Sequence, residues 1–314
     1  MTKQHAADQA VDLPVSLSAR SYLSETPQTA EEITEGFTLP SPVSPEAAPG
    51  AIPLTPDEIL SLPARHNPTL QRVVQAVNAD VDLHAIWRCQ NVTAVDRLGM
   101  SDHGPVHMHI VANSALRLLR LLVKRGIVPS AVAQHQLTDE DAEVIVVLAA
   151  LLHDSGMSIQ RAEHEQFSLI VALPKLMELL QDIYAPATRR VVVSEVLHAI
   201  IAHRAGGQPL TLEAGVVRVA DALDMAKGRS RIPFAAGHVD IHSVSAAAID
   251  AVQIGPGEQK PVRIGIKMNN AAGLFQLDEL LKEKLHGSGL ESAIEIVADI
   301  EGETDKRLFE TFRL

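Results

Sequence analysis

From residue 55 to about 228, apolar residues return every three or four positions, the repeat that lines one face of an α-helix. The stretches 70–77, 83–95, 106–123, 144–152, 169–180, 191–201 and 216–225 each predict a helix. Pro105 suits a first helical position, where its missing N–H breaks no bond. Thr138 with Asp141 three residues on predicts an N-cap, an imperfect capping box because Asp is shorter than Glu. Near Pro233 the period changes. The segments 238–243, 249–254, 262–268 and 293–300 alternate or cluster β-branched residues as strands do. One amphipathic helix, roughly 275–285, falls between the last two and ends at His286-Gly287-Ser288-Gly289. No fixed-period repeat is visible. The expected fold is mainly α, a helical bundle over 56–232 followed by a small α+β domain over 233–314.

Residues 1–55 differ from the rest. They are rich in Ala, Pro, Ser, Thr and Glu, with Pro40, Pro42, Pro45, Pro49 and Pro53 closely spaced. Asp8, Asp12, Glu25, Glu31, Glu32, Glu35 and Glu46 stand against Lys3 and Arg20, seven minus two, a net −5. Such a segment buries too little apolar surface to offset its ordering entropy, so disorder is the expectation. Aromatic residues make up only 3% of the 314, so the core must rest on Leu, Ile, Val and Ala. That favours close-packed helices over an aromatic-rich sandwich. The formal charge of −12 argues against nucleic acid as a partner, because phosphate backbones are bound through an excess of Lys and Arg. A single cysteine, Cys89, excludes an internal disulfide framework or a Cys-rich zinc site and fits a reducing compartment. No signal-like start is present, and the longest purely apolar run, 144–152, is too short to span a bilayer. A cytoplasmic protein without a membrane partner is expected.

Of the 14 histidines, those in or just beyond the predicted helices matter most. His107, the adjacent pair His153-Asp154, His164, His203 and Asp221 flank apolar stretches where charge is otherwise costly. His153-Asp154 closes the apolar run and is followed by Ser155-Gly156, a helix end. Imidazole and carboxylate together suit Mn, Fe, Ni, Zn or Mg.

The ordered series His107, Leu151-Leu152-His153-Asp154-Ser155-Gly156 and Arg218-Val219-Ala220-Asp221-Ala222-Leu223-Asp224 resembles the HD superfamily of metal-dependent phosphohydrolases. The likeness covers roughly residues 100–232. His-Asp alone is a weak signal; the ordered set in helical context is a strong one. The resemblance implies an HD-type helical bundle with divalent metal ions. His164 and His203 resemble the extra histidines of the binuclear branch, which implies two metals per chain. One would take His107, His153, Asp154 and Asp221; the other would take Asp154, His164 and His203, with Asp154 as the bridge. The chain departs from two better-known branches. Met157 stands where cyclic-dinucleotide phosphodiesterases usually carry Lys, and Arg204-Ala205-Gly206-Gly207 replaces their Gly-Tyr-Pro. The Glu-Asp pair of alarmone hydrolases is also missing from 155–164. The closer likeness is to poorly characterised bacterial and archaeal HD proteins, which share Asp102-His103-Gly104, Arg161 with His164-Glu165, and Gly228-Arg229.

Other residues have plainer readings. His109 lies two residues past His107, about 200° around a helix, and is expected to be structural. His198 is poorly aligned with His203, so His203 is preferred with His198 as the lesser alternative, and His103 precedes the helix, either reaching the site from its loop or staying clear of it. Asp224 is expected to cap a helix or join a salt bridge. Lys227, Arg229 and Arg231 form a basic cluster suited to gripping a phosphate or, equally, to a helix C-terminus. Arg161 is the other clamp candidate. Asn269-Asn270-Ala271-Ala272-Gly273 is either an anion loop at a helix start or, more simply, an ordinary turn.

The expected reaction is hydrolysis of a small phosphorylated substrate, a nucleotide or other phosphoester. A metal-activated water would attack phosphorus, with Asp154, Arg161 and Arg229 in the catalytic machinery. Two alternatives use the same ligands: a di-iron HD-type oxygenase, and a metal-binding sensory module without turnover. The C-terminal α+β domain is read either as a regulatory module or as a surface for a homo-oligomer.

Overall fold

The computed structural model describes residues 59–204, 206–226 and 245–301, together with the backbone of 311–313. The segment 1–55, the expected strand at 238–243 and the boundary near 232 lie outside these residues. The described residues belong to one compact unit, Ala51–Leu314.

The helical part contains α1 (Pro68–Ala79), α2 (Val81–Asn91, continued by a π-helical Val92–Arg97), α3 (Pro105–Lys124) and α4 (Ser130–His135). It goes on through α5 (Asp139–Leu152), a 3₁₀ turn at Ser155–Ser158, α6 (His164–Leu179), α7 (Pro186–Ala202) and α8 (Leu212–Ala222). α5 is the axis of the bundle. Every residue from Val144 to Leu152 is buried, so the helix is apolar all round and packs against α1, α3, α7 and α8. Its start is the capping box expected from Thr138. The hydroxyl of Thr138 accepts from Asp141 N at 3.2 Å, and Thr138 N donates to the Asp141 carboxylate at 2.9 Å. Pro105 opens α3 as its first residue. By length and composition α3 could cross a bilayer, but half of it is buried against the other helices, as befits a core helix.

The C-terminal part carries β1 (Ile249–Pro256), β2 (Val262–Met268), β3 (Ile294–Ile300) and β4 (Thr311–Arg313), ordered β1-β2-β3-β4 in one sheet. β2 and β3 run parallel, which requires a crossover, and α9 supplies it over 274–285. α9 is irregular: Leu274–Gln276 and Glu283–Leu285 are α-helical, with a π-helical Leu277–Lys282 between them. The other two pairings are antiparallel. In β2, Val262, Ile264, Ile266 and Met268 are buried in strict alternation, as a sheet with one covered face demands. The chain is therefore mainly α rather than all-α.

Candidate metal centre

His153 and His203 hold the same local position on different helices, the C-caps of α5 and α7. Each ring donates its Nδ1–H to the carbonyl three residues back, Ala150 O at 2.8 Å and Ile200 O at 2.6 Å. These carbonyls belong to the last turn, where the regular i to i+4 donors run out; Ile200 O also accepts from His203 N at 3.4 Å. The helix end thus selects the tautomer and turns the Nε2 lone pair inward. His107 is the third residue of α3 and reaches the same result through a carboxylate, its Nδ1 donating to Asp224 Oδ2 at 2.6 Å. Asp224, expected to cap a helix or join a salt bridge rather than face the site, turns toward the site to accept this bond, and Asp221 sits in the last turn of α8.

His164 opens α6, preceded by Glu163 in the left-handed region at φ 53°. Gly156 brings this helix close to the His-Asp end of α5. A Cβ at Gly156 would lie 2.0 Å from His164 O and 2.5 Å from Ser168 N, so only glycine admits the approach. Gly156 N donates to Ser168 Oγ at 2.8 Å, and that hydroxyl donates to His153 O at 2.7 Å.

The side chains converge. Asp154 Oδ2 lies 3.3 Å from His153 Nε2 and 3.7 Å from His107 Nε2. Its other oxygen, Oδ1, lies 2.9 Å from His164 Nε2 and 3.6 Å from His203 Nε2. Asp221 Oδ1 is 3.4 Å from His107 Nε2 and 3.5 Å from His153 Nε2. Donor atoms fall within 4.8 Å of one another in three triads: His107-His153-Asp154, His153-His203-Asp221 and Asp154-His164-His203. His153 Nε2 is buried and lies 3.3 Å and 3.5 Å from the Asp154 and Asp221 oxygens without a well-directed hydrogen bond, an expensive state for a polar atom that nothing is to bind. A convergent set of imidazole nitrogens and carboxylate oxygens fits a first-row divalent ion. All the residues expected to be ligands are brought together.

The carboxylates and imidazoles here are strongly coupled. Burial alone would raise the carboxyl groups of both acids. For Asp154 it is outweighed by His153, His164 and His203, and for Asp221 by Lys284, His107 and His153, so both stay well below the usual carboxylate range. Burial would lower His153, yet Asp154 and Asp221 prevail and push it up to about 10. His203 is lowered by burial, with His153 and Lys284 repelling its charged form and Asp154 opposing the shift. The charges of the buried Asp154 and the half-buried Asp221 are thus offset in part by a proton on His153 and the ammonium of Lys284. A bound cation would take over that role.

The cluster opens into a cavity of about 530 Å³ lined by Arg161, Arg204, Lys284, His103 and Glu165 among others. Arg161 lies where a clamp was expected, its Nη1 2.8 Å from His164 Nδ1. That nitrogen is also 3.1 Å from Arg161 O, and the two contacts require opposite tautomers. The guanidinium contact leaves the proton on Nε2, facing Asp154; the carbonyl contact frees Nε2 for a ligand role. Lys227, Arg229 and Arg231 lie outside the described residues. His103 lines the cavity. His109 packs edge-on against Trp87, with ring centroids 5.7 Å apart, and the ring of His198 accepts from Leu210 N at 2.9 Å. Both are structural. The segment from Asn269 to Gly273 is a turn whose Asn270 side chain accepts from Ala272 N at 2.9 Å. A larger cleft, about 1030 Å³, lies between α3 and the sheet, but its lining has no imidazole and is remote from this chemistry. Sequence reasoning missed Lys284 and Arg204. A lysine on the polar side of an amphipathic helix carries no mark that separates it from a solvated one.

This geometry is that of a helical protein whose His/Asp cluster could hold metal, and residues 107–226 match the HD domain family, from the first histidine to just past Asp224. The chain belongs to that family, within a superfamily of metal-dependent phosphohydrolases. It is similar to an uncharacterised protein of Methanocaldococcus jannaschii, 44% identical over 228 residues that cover 73% of this chain and 87% of that one. No solved structure matches it significantly.

Proposed function

We propose that the protein is a metal-dependent phosphohydrolase that cleaves a phosphate ester of a nucleotide or another small molecule, using two metal ions. The observation that carries the reading is the orientation of Asp154, whose two oxygens face different histidine pairs. His107, His153, Asp154 and Asp221 would hold one ion, and Asp154, His164 and His203 the other. Divalent ions bound there supply Lewis acidity and a water of lowered pKa. Asp224 and the carbonyls of Ala150 and Ile200 hold three of the four rings in the ligating tautomer. Arg161 lines the cavity and is suited to the non-bridging oxygens of a phosphoryl group. Arg229 is the second clamp in this reading. With metal ions offsetting Asp154 and Asp221, the cations Arg161, Arg204 and Lys284 around the cavity would favour an anionic substrate, and so favour hydrolysis over an oxygenase reaction. The test is a panel of phosphomonoesters and phosphodiesters assayed on protein reconstituted with Mn, Fe, Ni, Zn or Mg. Metal-dependent release of phosphate or of an alcohol is expected. Oxygen consumption without phosphoester cleavage would favour the oxidative alternative.

A further inference from the structure

We propose that Lys284, carried by the C-terminal part of the chain, is a phosphate-binding residue of the metal centre, which makes that part a wall of the active site. The proposal rests on the hydrolytic reading above. Lys284 Nζ is paired with Asp221 Oδ2, while the other oxygen of Asp221 faces His107 and His153. Its ammonium therefore stands beside the ligand cluster without occupying the oxygen that faces it. It also lines the 530 Å³ cavity together with Arg161 and Arg204. Lys284 is 15% exposed, enough for an anion to reach and little enough for its charge to be weakly screened.

Its placement is built into α8. Gly215, Arg218 and Asp221 are spaced three apart, so they form one stripe along that helix. All three contact the same short segment, in three different ways. At Gly215 a Cβ would come within 2.2 Å of Ser288 O, so the backbones meet where only glycine fits. One turn on, the buried Arg218 guanidinium donates to the carbonyls of Lys284 at 2.9 Å, Glu283 at 3.2 Å and His286 at 3.1 Å. These are carbonyls at the end of α9, which have no helical donor. A further turn on, Asp221 receives Lys284 itself. The helix that supplies a metal-type ligand also aims the lysine, so the two arrive together. A phosphoryl oxygen in the cavity offers Lys284 a second anionic partner next to Asp221.

The test is isothermal titration of orthophosphate, the shared product of phosphomonoester cleavage, into full-length metal-loaded protein, with metal content measured on each sample. Lys284→Met is expected to bind phosphate about ten- to a hundredfold more weakly than wild type at unchanged metal content. Lys284→Arg should recover most of that loss. Lys284→Gln, which keeps a donor for Asp221 but no charge, should not, and the Arg and Gln pair decides the matter if the Met variant does not fold. Phosphate affinity within twofold of wild type in the Gln variant would overturn the proposal. So would loss of metal from that variant, since Lys284 would then act only by holding Asp221. Failure of metal-loaded wild type to bind phosphate at all is a distinct result: it would overturn the proposal for Lys284 and the monoester form of the hydrolytic reading, whereas the diester form stands or falls on the substrate panel.

Discussion

His153 serves two purposes at the end of α5: its Nδ1 donates to a helix-end carbonyl, and its Nε2 faces the buried Asp154 and half-buried Asp221 carboxylates. Without a cation, those carboxylates hold its proton up to about 10. A raised imidazole stabilises the fold fully below its unfolded value near 6.5 and loses that contribution as pH rises through its folded value. Metal must displace the same proton, so binding at pH 7.5 should release about one proton per chain into a weakly buffered solution, read by an indicator dye. Metal uptake with no proton release would mean His153 is already neutral. Asp224 acts one atom further out, through His107. Asp224→Ala should weaken metal binding about 10–100-fold in a chelator competition while leaving the helical signal intact. Unchanged affinity would show that the 2.6 Å bond to His107 orients nothing of consequence. Of the residues concerned, the four histidines and Asp154 and Asp221 were legible in the sequence through their order along successive helices. Lys284 was not, because its significance lies in a contact 63 residues away in the chain.

The elements that position the site were mostly visible as periodicity, and the misses have local causes. α4 is six residues long, and two of its backbone amide groups, Ser130 N and Ala131 N, are held by the Glu213 carboxylate at 3.2 and 2.9 Å, a partner far along the chain. The sequence pattern places a helix at 169–180, whereas α6 begins at His164, because its first turn is fixed by the approach at Gly156 rather than by apolar spacing. The π-helical turns after α2 and inside α9 leave no periodic trace. Gly156 is the element-scale test. Gly156→Ala puts a Cβ 2.0 Å from a backbone carbonyl that cannot rotate away, so α6 must shift and carry His164 from Asp154. The expected result is a drop from about two metals per chain toward one, with circular dichroism still helical. Two metals retained at normal affinity would show that the approach of α6 is not what sets the second ligand group.

Over the whole molecule, a chain of net charge −12 concentrates Arg161, Arg204 and Lys284 around one cavity beside its buried imidazoles. The helical part supplies the ligand groups, and the C-terminal part closes over the last of them through α8. The sequence showed both parts and the change of period between them, but not that they share a site, since burial and docking are properties of the assembled chain. In the proposed function one carboxylate, Asp154, serves two ions, and metal stoichiometry is the sharpest check of it. Elemental analysis of wild-type protein after reconstitution and removal of free metal should find about two ions per chain, and Asp154→Ala, still helical, should retain at most one. A wild-type protein that never exceeds one ion, or an Asp154→Ala protein that keeps two, would contradict it.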